Sequence, residues 1–341
     1  MRSWILCGVA FSAVLLVTVT VPVRHGAAAE AGEGEVPVEP AVDELYPILE
    51  GGKVGYIDKT GKKVIDAQFD DGADFSEGRA RVRSGGKFGY IDTGGRVVIR
   101  LNYDAASDFS NGLARVRAKD RTGYLDPNGK PVINFPFEDT ASFFEARARV
   151  KSQGKYGFID DTGTLVVTAK YDAAGDFHEG LAPVQVGTQW GFVDTAGSET
   201  IAPKFERVSS FSEGLAAVRV GEKWGFIERS GKTVVKPELE LVHDFSEGLA
   251  VAALQGKRGF INRKGKWEIK PQFDAAGGFT AGRAWFKRGA AVGFIDKKGK
   301  IVIEPKYDSA VEFVKGLARV RMAGKMGYID RDGRWVWEPK E

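Results

Sequence analysis

The 341-residue sequence has little of what most enzyme and metal chemistry requires: one cysteine, Cys7, and three histidines. A lone cysteine so near the start excludes a disulfide framework and any cysteine-built metal site in the rest of the chain. Only His178 and His243 lie beyond residue 29, and they fall at different phases of the repeat described below. Neither a metal-spaced histidine pair nor a nucleophile elbow is present. An excess of charge of one sign is missing too. Lys and Arg number 49 against 46 Asp and Glu, for a net charge of +3. The bulk electrostatics therefore call for neither nucleic acid nor an acidic membrane. Outside the first residues no apolar stripe of period 3.6 is long enough for a helix.

One long apolar run exists. "WILCGVAFSAVLLVTVTVPV" follows Arg2 and ends in "RHGAAAE", whose small residues suit a signal peptidase. Residues 1–29 are expected to be a signal peptide cut near Ala29, giving an exported protein, periplasmic or extracellular. The alternative is an uncleaved anchor, since the run approaches the roughly 20 residues of a spanning helix. Pro22 and the Ala-rich exit favour removal, and Cys7 precedes the apolar core, which argues against a lipoprotein. Residues 30–44, "EAGEGEVPVEPAVDE", are acidic and Gly/Pro-rich and read as a disordered linker. A repeat domain is expected over 45–341, with a mature chain that does not span a membrane.

That repeat rests on nine glycines at a spacing of 34: Gly55, Gly89, Gly123, Gly157, Gly191, Gly225, Gly259, Gly293 and Gly327. Each precedes Tyr or Phe, then an aliphatic residue, then Asp, Glu or Asn, with a second Gly three residues later. Between anchors the apolar runs are short, β-branched and aromatic, and closed by Gly, Pro, Asp and Asn, which is strand punctuation. In the fourth copy the strands fall at 155–160, 165–168 and 181–186. The Asp of turns such as "DPNGK" can bond backbone amides two residues on, and the Gly supplies a positive φ. The expectation is an all-β chain of nine tandem three-stranded antiparallel units. "LYPIL" (45–49) serves as a degenerate first strand.

Linkers between units read "P-x-[FY]-[DE]-x-x-x-x-F-x-x-G". Two of their columns, headed by Phe69 and Phe75, are aromatic in nearly every copy and are expected to be core. A 34-residue unit cannot offset its own ordering entropy, so neighbours must stack. The Phe211 column is expected to lie over the bare backbone of Gly225. Each chain end completes its own unit, which favours an open superhelical or solenoid-like array; the alternative is a closed, propeller-like ring.

These residues resemble bacterial WG-repeat proteins, a family named for the Trp-Gly pair seen here in "QWGFVD" and "KWGFIE". The resemblance covers roughly residues 45–341, although most copies replace the Trp. It implies a β-rich repeat scaffold used for interaction, and it supplies no catalytic residues.

Binding candidates follow from positions that vary inside the fixed period. Tyr156, Trp190 and Trp224 precede Gly in three consecutive units, where exposed rings would suit a sugar or a peptide. The competing reading is packing within the sheet. Arg81, Arg83, Arg115, Arg117 and Arg149, with other basic residues of the same strand, could meet an anionic polymer, or be neutralised by linker acids such as Asp74, Glu77, Asp108 and Glu179. "SGGK" (84–87) and "SQGK" (152–155) mimic a Ser-x-x-Lys pair but fall in turns. The Asp58 column offers one carboxylate per copy, too few for calcium. Neither cofactor nor metal is expected, and the chain is read as a non-catalytic scaffold for a protein partner, or else a cell-surface glycan-binding module.

Overall fold

The computed structural model describes residues 44–119, 121–134 and 137–338; the expected signal peptide and all of the expected linker except Glu44 lie outside them. The described residues form strands and turns without a helix, in nine antiparallel sheets one period apart. Eight sheets have four strands and the first has three. In the fifth, the strands are Ala173–Ala174, Leu181–Val186, Gln189–Asp194 and Glu199–Phe205, paired in that order.

The expected three-stranded unit is thus one strand short. The extra strand is the start of the linker, where Arg207 and Val208 pair with Arg219 and Val218. Glu206 N–H also donates to Arg219 O, and Ser209 N–H to Ala217 O. Backbone donors passing through a packed interior need partners, and the open edge of the following strand supplies them. A two-residue strand carries no alternating pattern, so the sequence presents it as loop.

Hairpin turns follow the sequence reading. Asp58 Oδ1 accepts the amides of Thr60 and Lys62, and Gly61 has φ +86°. The Gly before the aromatic behaves otherwise. Pairing jumps from Trp224↔Leu239 to Phe226↔Val235, so a bulge of the last strand faces Gly225. A Cβ there would lie 2.3 Å from Val235 O and 2.7 Å from Pro237 N. The neighbouring backbone therefore fills this space, and not the Phe211 ring as expected. Phe211 instead meets Phe192 of the preceding sheet edge-on, with centroids 4.8 Å apart. The same pair recurs from Tyr56–Phe75 to Phe294–Phe313. Each linker ring also sits beside an alanine of the next sheet, as Phe75 beside Ala80 and Phe211 beside Ala216.

Adjacent linkers are tied together where the Glu77 position carries Glu. The Glu145, Glu179, Glu213 and Glu247 carboxylates accept the amides of Gly180, Gly214, Gly248 and Gly282, one unit on. The last strands, with alternately exposed side chains, are not joined in this way among the described residues. Linkers thus line the centre, where blades of a ring converge, and the last strands lie at the periphery.

The array is a closed nine-bladed propeller, which corrects the expectation of an open superhelix. Tyr328 OH of the ninth blade donates to Pro47 O of the first at 2.8 Å, and Tyr46 OH donates to Lys315 O. Tyr46, Ile48 and Ile57 share one buried cluster with Leu317, Tyr328 and Trp337. No strand from one end joins the sheet of the other among the described residues. The column of Tyr46 explains how closure works without exchange. Its eight counterparts are Ala80, Ala114, Ala148, Ala182, Ala216, Ala250, Ala284 and Ala318, which leave room for a linker ring. At the seam Tyr46 supplies the ring itself, 5.6 Å from Tyr328.

Candidate binding site

Much of the polar repeat is consumed in holding the blades. The linker acid that follows the Phe69 column caps the next blade's hairpin: Asp70 accepts Gly85 N–H and pairs with Lys53 of the preceding blade. The Lys53 hydrogen bond, then the Gly85 amide, holds the Asp70 carboxyl below its ordinary value of 3.8. Lys87 and Lys155, the lysines of the Ser-x-x-Lys mimics, pair likewise with Asp104 and Asp172. His178 lies against Phe144, and burial, then Arg258, pushes the His243 pKa down.

The candidate residues occupy one rim of the ring. Val220 pairs with Lys223 and Arg219 with Trp224, so each residue before the Gly stands beside the turn between the second and third strands. Across a blade the row reads linker strand, second strand, third strand and outer strand, as in Arg207, Arg219, Trp224 and Leu239.

Around this rim the arginines are largely engaged. Arg81 pairs with Asp108 at 3.0 Å and lies over the Phe88 ring with Arg83. Arg115 donates to Thr140 O and approaches Asp139, and Arg149 donates to Ala174 O and approaches Asp176. Of the acids expected to neutralise them, Asp108 does so, whereas Glu77 and Glu179 bond the amides of Gly112 and Gly214 in the next unit. The Arg117 guanidinium has no ion-pair partner among the described residues and lines a recess of about 840 Å³ with Arg115, Lys119, Thr122, Glu138 and Asp139.

The three aromatic candidates divide. Tyr156 is covered by Arg149 and Lys151, 5.7 and 5.5 Å from its centroid. Trp190 and Trp224 are half-buried and have no cation over them among the described residues. The second strand explains the difference, because where Tyr156 has Arg149 as neighbour, these blades carry Pro183 and Ala217. Both indoles line one recess of about 710 Å³ between the fifth and sixth blades, with Gln185, Glu206, Arg207 and Val208. Sequence reasoning found the two tryptophans but missed Glu206 and Arg207. They stand at a linker position that becomes a strand only through pairing with the next segment.

No helix among the described residues is long and apolar enough to cross a membrane. No curated protein matches the sequence. Among solved structures, the chain is similar to "the eukaryotic initiation factor", with a TM-score of 0.62 at 10% identity, covering 87% of this chain and 96% of that one. A second is Hsv2p of Kluyveromyces lactis, with a TM-score of 0.44 at 9% identity, covering 68% and 95%. At such identities the first likeness speaks for the fold alone. The family described as "WG containing repeat" matches eight times, at 55–88, 88–121, 123–156, 156–187, 190–224, 224–257, 259–290 and 293–325. With its glycines, bulges and linker rings accounted for by the geometry of the blades, the chain belongs to the WG-repeat family.

Proposed function

We propose that the ring is an exported, non-catalytic scaffold that holds a protein partner on the rim bearing Trp190 and Trp224. The observation that carries this reading is the division of labour within the period. Invariant polar positions are spent on turns and blade-to-blade ties, whereas the position before the Gly varies from Val54 to Trp224 to Arg258 on one rim. Tryptophan and arginine presented there are the residue types that anchor interfaces. Proximity labelling in the native host tests it. The Trp190→Ala, Trp224→Ala double variant should lose the partner labelled by the wild type, each truncation costing about 2 kcal/mol of binding. An unchanged labelling pattern would refute the assignment to this rim.

The indole recess favours a second reading, a cell-surface glycan module, because flat amphipathic rings suit the apolar face of a sugar. A glycan array on the mature domain separates the two. Signal lost in the double variant supports sugar recognition, and absence of any signal leaves the protein partner.

A further inference from the structure

The recess between the fifth and sixth blades has an unusual balance of hydrogen-bonding groups. Its one carboxylate, Glu206, is already engaged: Oε1 accepts Gly221 N–H at 2.8 Å and Oε2 approaches Arg219 at 3.5 Å. The other polar groups are donors or amides without partners. Neither indole N–H is bonded among the described residues, in contrast to Trp285, whose Nε1 donates to Glu312 at 3.1 Å. The Gln185 amide and the exposed Arg207 guanidinium have no side-chain hydrogen bond or ion pair among the described residues either. Arg207 faces Arg219 across the pairing, so the positive charge at this point is not offset by its neighbour.

Two bare indoles supply apolar platforms, and the unspent donors call for a ligand rich in acceptors with at least one negative charge. Arg suits a carboxylate in particular, because its planar fork binds both oxygens. Resting on the glycan reading above, we propose that this recess binds an acidic oligosaccharide: hexuronate rings lie against Trp190 and Trp224, and one carboxylate is held by Arg207. Selectivity for the acid over a neutral sugar then belongs to Arg207, and the shared affinity for both belongs to the indoles.

The test is calorimetric titration of the ring with tetramers of galacturonate, mannuronate and glucuronate, each beside its methyl ester, which keeps the sugar and removes the charge. At least one acid should bind about tenfold more tightly than its ester. Arg207→Gln should bring the acid down to the affinity of its ester, and Trp190→Ala with Trp224→Ala should abolish the binding of both. Equal binding of acid and ester overturns the acidic-sugar assignment and leaves the glycan reading standing. No binding of any tetramer at millimolar concentration overturns the acidic-sugar assignment, and the glycan array then decides the glycan reading. Hexaglutamate serves as the peptide arm. If it binds as tightly as the best uronate, and Trp190→Ala with Trp224→Ala leaves its binding unchanged, the recess recognises charge alone and the proposal fails.

Discussion

Glycine serves two separate purposes in each period. Gly231, with φ +80°, turns the hairpin, and its bare Cα lies against Ile201 of the preceding blade. Gly225 has ordinary backbone angles but no room, since a Cβ would meet main-chain atoms of Val235 and Pro237. Main chain held in a sheet cannot step aside as a flexible side chain would. Gly225→Val is therefore expected to destabilise by about 3 kcal/mol, read as a lower denaturant midpoint. Gly221→Ala has open space within 4 Å and φ +60°, and should cost about 1 kcal/mol through backbone strain alone. Equal midpoints for the two variants would contradict the steric account. The need for glycine at both positions was legible in the sequence; its cause at Gly225 was not, because the bulge that fills the space comes from residues 236–238.

At the scale of the element, the linker does more than the sequence announces. It provides a ring to the previous blade, a strand to the next and a carboxylate cap to a hairpin. Asp70, Asp104, Asp172 and Asp274 are each held below the ordinary carboxylate range, first by a lysine of the preceding blade and then by a hairpin amide or a Lys119 amide. A group whose pKa is depressed on folding stabilises the fold above its ordinary value, 3.8, and loses that contribution as pH falls through the depressed one. The melting temperature should thus be level above about pH 5 and drop below about pH 4. Changing the four residues to Asn together should lower the midpoint at neutral pH and flatten the acid limb. An acid limb of unchanged steepness would place the acid sensitivity in other groups. The sequence marked this column as Asp or Glu without showing what it caps, because both partners lie in other segments, one of them in another blade.

For the whole molecule, closure depends on side chains at one seam. Tyr46 stands where eight other blades have alanine, and its ring takes the place that a linker phenylalanine fills elsewhere. Tyr46→Ala removes the ring and one hydrogen bond to Lys315 O. The loss is expected to be about 3 kcal/mol, with proteolytic sensitivity appearing at the first and ninth blades before the others. Cleavage distributed evenly over the ring would show that the seam does not depend on this ring.

The sequence alone determined the period, the all-β character, the hairpin turns and the two aromatic columns, because each depends on neighbours a few residues apart or on identical surroundings in every copy. Tertiary structure decided three things: that the array closes, that the linker becomes a fourth strand, and that Trp190 and Trp224 share a recess with Arg207. Each depends on the angle between successive blades and on which segments then face one another, and a repeat of 34 residues encodes that angle only through packing between units.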